Sequence, residues 1–542
     1  MDGTYHARYV YRLNNTIFTS ADSGALDDPA SKFIVDRDAI REMDCEITYR
    51  LCLDRLQECS QHSQCPHPEL TKLPTRVLDC LNPSHPRLFI SNGTEMELYA
   101  ALSYVWGEAQ PSKTTMQNLE AYAAGIDINC IPQTICDAIT VTRNLNLRYL
   151  WVDSFCIIQD SRPDKARELA NMRNIFRNAY VTIAAASAKR VTEGFLQKRP
   201  VYRTPSTLPF YFPGESPGTM SLVAGTGPPA EAVDERAWCF EERLLSPRSL
   251  IFCSHTLRYE CQSRAMNVDQ TPRYLDGPIK NVRLPDRIFI GTTNNSHAED
   301  KNDKYEWKSV LGKYTKRFLT KPRDRLVALS GIAEQFSLLW PESDYMAGLW
   351  RHHLPGSLLW VLRDTGAPLP RPFKYRAPSW SWASVDGEII QDYATLGILC
   401  TVVSCEVTPV DLSNPFGEIL SGNLRVRAIL KKAVWDRAES ELFEVGNNER
   451  GVSLSEHDDS DRGEIGWAVA DAAEDGMEST STVTVALVQS TANTVLGLVL
   501  AAAESHNGHI QTEIYRRVGR FSAPFCDRDS WLATPYQIID II

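Results

Sequence analysis

Two carboxylates in this chain sit where a charge is costly. Asp153 interrupts the apolar run Leu150-Trp-Val-Asp-Ser-Phe-Cys-Ile-Ile158, and Glu242 lies within Arg236-Ala-Trp-Cys-Phe-Glu-Glu-Arg-Leu-Leu-Ser-Pro-Arg248. A carboxylate in such a setting must be paired or must open onto a cleft. A third segment, Tyr99-Ala-Ala-Leu-Ser-Tyr-Val-Trp-Gly107, ends an apolar run in two hydroxyls (Ser103, Tyr104), an indole (Trp106) and a glycine. Gly107 permits close backbone approach or a positive φ. Gln159 and Asp160 follow the Asp153 run, and Trp238 precedes Glu242 by four positions, on the same helical face. Polar groups at the carboxyl ends of buried parallel strands line ligand clefts. Each residue also has a plainer reading. Glu242 can pair with Arg243 or Arg248, Asp153 can bond to loop amides, Asp160 can cap a helix, and Trp106 can pack under the next loop. Glu168, at the border of an apolar stripe, reads as a solvated charge.

The sulfur chemistry is sparser. Cys156 and Cys239 have no His within their blocks, so a thiol nucleophile is not indicated and both read as small buried hydrophobes. Cys59, His62, Cys65 and His67 have ligand-like spacing, and a zinc knuckle there would hold a small N-terminal unit. The nearest further cysteines, Cys52 and Cys80, form no second clean pair. The expectation is therefore a Cys/His-rich turn with no metal, with zinc as the lesser reading.

These residues need elements to position them. The spacing predicts a helix over 36–59 and an entry strand over 73–79. Strands are expected at 101–106, 149–158, 180–186 and 249–253. Helices are expected at 132–145, from Ser161 or Asp160 onward with Leu169, Met172, Ile175 and Phe176 as core stripe, and at 235–245 capped by Asp234. Strands alternating with helices imply an α/β parallel sheet over 98–262. The Pro- and Gly-rich stretch 187–233 reads as a surface insertion. Residues 1–97 read as an N-terminal α-rich segment and 263–390 as a helical middle region, polar at 263–304 and helical over 305–363. Residues 391–542 read as a mostly-β region with strands at 397–407, 422–429, 482–488, 495–502 and 514–521, and with an acidic, mobile stretch at 439–478. Trp380 and Trp382 alternate and should place both rings on one face, as core packing.

Composition bounds the function. Net charge −11 over 542 residues argues against nucleic acid as a general partner. The most apolar stretch, 483–503, carries polar residues in its middle and reads as two strands, so no membrane span is expected. The N-terminus shows no apolar signal core, and the fourteen cysteines follow no framework, so the expected setting is cytoplasm or nucleus, not secretion. No phosphate-binding glycine loop or zinc-protease motif is present.

The segments 99–107, 150–160 and 236–248, in that order, resemble the three blocks of the heterokaryon incompatibility (HET) domain of filamentous fungi. Segments such as Asp324-Arg-Leu-Val-Ala-Leu-Ser-Gly-Ile-Ala333 resemble the companion region of such proteins. The resemblance implies non-self recognition with growth arrest or cell death, and as partner a second copy or another incompatibility protein. HET domains in turn look like relatives of TIR domains, some of which cleave NAD. Trp238-Cys239-Phe240-Glu241-Glu242 is similar to the Trp-Cys-x-x-Glu pattern of the catalytic TIR helix, and Ala101-Leu-Ser-Tyr104 to the first TIR strand. The insertion 187–233 departs from that pattern. The resemblance implies a TIR-like sheet and an NAD glycohydrolase with Glu242 as catalytic carboxylate. Ser103, Tyr104, Trp106, Gly107, Asp153, Gln159 and Trp238 would bind substrate, with NAD as substrate and no cofactor. The alternative is a non-catalytic signalling or scaffold module acting through HET–HET or partner contacts.

Overall fold

The computed structural model describes residues 40–200, 230–269, 282–290, 300–363, 368–391, 396–445, 463–474, 479–503 and 513–542, with a few short stretches besides. Among these stretches are the strands Val10–Leu13, Thr16–Ala21, Ser206–Phe210 and Gly218–Gly225. The chain forms two compact units, Met1–His297 and Ala298–Ile542.

The first unit is built on an eight-stranded mixed sheet. Its strands are β1 (Arg76–Asp79), β2 (Arg87–Ile90), β3 (Tyr99–Ser103), β4 (Tyr149–Trp151), β5 (Val181–Ala184), β6 (Arg248–Phe252), β7 (Leu257–Cys261) and β8 (Ala265–Asn267), in the order β8-β7-β6-β5-β3-β4-β1-β2. The four central strands are parallel: β3 pairs with β4 and β5, and β5 pairs with β6. Every residue of these four strands is buried, as expected where helices cover both faces. Numbered by first appearance, their order is 2-1-3-4, the doubly wound arrangement whose switch point falls beside β3. The α/β reading with a parallel core thus holds in part, since β7, inside 98–262, pairs antiparallel with β6 and β8 follows it antiparallel. What it omitted is that β1 and β2, from the segment expected to be α-rich, extend the sheet antiparallel.

The helices of the first unit include α1 (Glu46–Cys59), α2 (Gln133–Asn144), the single turn α3 (Asp153–Cys156), α4 (Arg162–Asn178) and α5 (Ala237–Leu245). Residues 36–39, at the start of the expected first helix, lie outside the described residues. Ser161 caps α4 by accepting from Asp164 N–H, with Pro in the first turn. The buried face of α4 differs from expectation. Leu169 is 37% exposed, whereas Glu168 is 1% exposed and is no solvated charge. The buried Arg76 guanidinium explains this, lying 2.5 Å from Asp164 and 3.6 Å from Glu168. Asp234 does not cap α5. It sits in a preceding 3-10 turn (Ala232–Glu235) and receives Arg243 at 3.3 Å.

The insertion leaves and re-enters the sheet at one point, where Ala232 N–H donates to the Ala186 carbonyl at 3.2 Å. Its strands Ser206–Phe210 and Gly218–Gly225 join Thr16–Ala21 and Val10–Leu13 in a separate four-stranded antiparallel sheet.

The second unit contains the expected β-rich region. The strands Ile419–Asp436, Glu441–Glu444, Glu464–Ala470, Ile514–Ala523, Val495–Ala502 and Thr480–Ser490 pair in succession. The last pairs back with the first and closes the ring. Ile429, Trp435, Val485, Val499, Val518 and Phe521 fill its core. Two of these strands lie within 439–478, where a mobile stretch was expected, and residues 446–462 and 475–478 of that stretch lie outside the described residues. The stretch 305–363 is less helical than its Trp/Leu spacing suggests. Helices cover Asp300–Tyr314 and Ser330–Ser337, and the rest is 3-10 turns and two-residue strands, interrupted by Pro322, Pro341, Gly348 and Pro355. Trp380 and Trp382 are both fully buried, as core packing requires, although Trp382 opens a 3-10 turn instead of continuing an extended segment. Among the described residues, no helix is long and apolar enough to cross a membrane.

Candidate functional site

The carboxyl end of β3 projects Ser103, Tyr104 and Trp106 toward residues from α3 and α5. Ser103 Oγ donates to Glu242 Oε2 at 2.5 Å. Tyr104 OH donates to Asp153 Oδ1 at 2.9 Å, and Trp106 Nε1 donates to Asp153 Oδ2 at 2.8 Å. Five residues from three separated segments thus form one polar cluster beside the switch point of the sheet, where doubly wound folds bind ligands.

Local structure explains the position of Asp153. The run 149–158 is not one strand: β4 stops at Trp151, and Asp153 begins α3. Its carboxylate accepts from Ser154 N–H at 2.6 Å, satisfying an amide that a helix start leaves free. A buried apolar run reads alike as strand or helix, so periodicity alone could not separate them. Three donors hold this carboxylate, which gives Asp153 a framework role within the cluster.

Glu242 is placed by α5, which is fastened at two points to the sheet. Cys239 Sγ donates to Tyr104 C=O at 3.6 Å, and Ser246 Oγ donates to Glu242 C=O at 2.7 Å while sharing a 2.5 Å bond with Thr182. Neither Arg243 nor Arg248 is engaged with Glu242. Arg243 forms a two-pronged pair with Glu260 at 2.7 and 2.8 Å, and Arg248 donates to backbone carbonyls of Tyr180 and Pro66. Burial pushes the Glu242 carboxyl up to about 7, aided by the negative charge of Asp153 and opposed by the Ser103 hydrogen bond and by Arg236. Burial likewise raises Asp153, against the pull of its Tyr104 and Trp106 donors. Both residues nevertheless keep partial exposure.

The remaining sequence candidates fall around this centre. Gly107 is exposed with φ +65°, and a Cβ there would lie 2.0 Å from the Lys189 carbonyl oxygen. The first residues of the insertion therefore close on the cluster, with Val191 N–H donating to Trp106 C=O at 3.2 Å. Gly107→Ala should destabilise the protein by more than about 1 kcal/mol, because both the φ and the approach are closed to a side chain. Thermal unfolding reads this directly, and an unchanged melting temperature would contradict the close approach. Gln159 commits its amide to the carbonyls of Asp153 and Ile157 at 3.0 and 3.1 Å, and so braces α3. Asp160 accepts from Met116 N–H at 2.9 Å. Trp238 is half-buried and takes part in none of the cluster's hydrogen bonds described above. Cys156 and Cys239 are buried, and burial pushes the Cys156 thiol up to about 12, so the reading as small hydrophobes fits.

A second cluster lies at the other edge of the sheet. Cys59, His62, Cys65 and Cys261 bring their ligand atoms within 4.8 Å of one another. His67, the fourth member expected from spacing, is exposed and outside this group. The partner that sequence reasoning missed, Cys261, comes from β7, nearly two hundred positions away, and no local spacing could have signalled it.

Residues 99–242 match the family model described as Heterokaryon incompatibility protein (HET). That stretch, from β3 to Glu242 on α5, is thus similar to the heterokaryon incompatibility domain. No curated protein and no solved structure matches the chain.

Proposed function

We propose that this protein acts in a heterokaryon-incompatibility or cell-death response, and that its HET domain cleaves NAD in the manner of TIR domains. The observation that carries this reading is Glu242. It is a partly exposed carboxyl pushed up to about 7 and held by Ser103 at the carboxyl end of the central parallel strand. Strongly perturbed carboxyls in such positions mark functional sites. Its place in the Trp238–Glu242 pattern supports the TIR analogy.

The chemistry follows from that placement. The bond between ribose C1′ and the nicotinamide nitrogen breaks with its electron pair leaving on nicotinamide. The cationic ribosyl group is stabilised by the Glu242 carboxylate. Water attacks C1′ and loses a proton, giving ADP-ribose, nicotinamide and H⁺. A carboxyl titrating near 7 is suited to receive that proton. Asp153, fixed by Tyr104 and Trp106, keeps Ser103 and Trp106 in register beside Glu242 and adds negative potential.

The test is incubation of the purified protein with NAD while following nicotinamide release. Rate should rise with pH through about 7 and level off above, because the carboxylate is the active form. Asp153→Asn removes a like charge that helps raise Glu242, so the midpoint should move to lower pH. The same change costs about 1–3 kcal/mol through the misfitted Tyr104 and Trp106 donors. A pH profile indifferent to Asp153→Asn would count against coupling of the two carboxylates. Absence of nicotinamide release from any form would favour the interaction-module reading.

A further inference from the structure

We propose that Cys59, His62, Cys65 and Cys261 form a closed, tetrahedral zinc site that clamps the N-terminal helix to the edge of the HET-domain sheet. The four ligand atoms lie within 4.8 Å of one another. His62 Nδ1 stands 3.7 Å from Cys65 Sγ and 3.5 Å from Cys261 Sγ. A tetrahedral ion with Zn–S near 2.3 Å and Zn–N near 2.05 Å separates S from N by about 3.5 Å. The spacing therefore already suits the ion.

The backbone explains how the ligands converge. Cys59 ends α1, and the chain then turns tightly, with His62 N–H donating to Cys59 C=O at 3.1 Å and Cys65 N–H to His62 C=O at 3.3 Å. Cys261 ends β7 on its buried face, fixed by its N–H to Arg264 C=O at 2.8 Å. The three cysteines are 0%, 3% and 5% exposed. Ser263 Oγ lies 3.4 Å from Cys65 Sγ, as an outer hydrogen bond to a ligand sulfur would. Three thiolates and one imidazole around a divalent ion leave one negative charge, and the buried Arg248 guanidinium stands within electrostatic range of Cys59 to offset it.

The donor set selects the metal and its role. Three soft sulfurs and one imidazole in a tetrahedron suit zinc, and four protein ligands leave no open position, so the site is structural and not catalytic. It would cross-link positions 199 residues apart, His62 and Cys261, and long closures gain most from such a clip.

The test uses the full chain. Purified and zinc-reconstituted protein should contain about one zinc per chain. Cobalt exchange should give the visible bands of a tetrahedral ion together with thiolate charge transfer. Cys261→Ser should weaken metal binding by more than about 100-fold, beyond the effect of an outer-sphere change. His67→Ala should bind as the wild type does. Chelation should lower the melting temperature by on the order of 10 °C. Should Cys261→Ser fail to fold, zinc content and the cobalt spectrum of the wild type decide alone. Zinc-free protein after reconstitution, an octahedral cobalt spectrum, a disulfide among the three cysteines, or metal lost on His67→Ala would each overturn the proposal.

Discussion

Glu242→Gln is expected to reduce nicotinamide release by about 10²–10³-fold while leaving the fold intact. Glutamine keeps the size and can still accept from Ser103, but it carries no negative charge for the ribosyl cation. The same variant should be more stable than wild type at alkaline pH. The Glu242 carboxyl titrates near 7 in the folded protein against an ordinary value of 4.5. Between these values the folded state holds a proton that the unfolded chain has released. The stability present below about pH 4.5 is therefore lost as pH rises through 7. The full loss is at most about 3 kcal/mol, and less for a partly exposed group. Glutamine cannot ionise, so the two proteins should differ least below about pH 4.5 and diverge by pH 8. Rates and melting curves measured together separate a lost charge from a damaged fold. A Gln variant that retains full turnover removes Glu242 from the mechanism.

Asp471→Asn is expected to destabilise the second unit by about 3–5 kcal/mol, the cost of stranding a buried cation. Arg517 is 0% exposed and Asp471 2% exposed, joined by two hydrogen bonds of 2.8 and 3.0 Å. The guanidinium also donates to the carbonyls of Leu358 and Trp360 and lies 3.5 Å from the Trp360 ring centre. It thereby ties strand Ile514–Ala523 to the 3-10 turn Gly356–Leu359. Replacing both partners together, as Asp471→Leu with Arg517→Met, should cost less than the single change, because no charge is then left buried. Hydrogen exchange in Ile514–Ala523 reads the effect locally. Equal protection in Asp471→Asn and wild type would show that the pair contributes little.

The parallel core was legible because buried strands flanked by capped helices leave a strong pattern. β3, β5 and β6 were found within a few residues for that reason. β2, β7 and β8 were missed because antiparallel additions at a sheet edge obey no alternation with helices. Asp153 was correctly singled out as an anomaly in an apolar run. That it begins a helical turn was not legible, because burial hides the period. The convergence of Ser103, Tyr104, Trp106, Asp153 and Glu242 followed from the rule that strand ends meet in one crevice. Arg76, which makes Glu168 a core residue, lies far away in the chain, and so does Cys261, which displaces His67 from the second cluster. Long-range partners of this kind leave no mark in local spacing.

The narrow neck of the insertion, held by the Ala232–Ala186 hydrogen bond, has a consequence for how such a protein can diversify. A loop whose ends meet at one point can grow or shrink cheaply, since doubling its length costs only about 0.6 kcal/mol in closure entropy. Its entry also lies against Trp106 and Gly107. Lineages can therefore rewrite the chain beyond that entry, in length and in sequence, while the helix and strands that hold Glu242 stay unchanged. Selectivity and reactivity would then be carried by separate stretches of chain, free to change at different speeds.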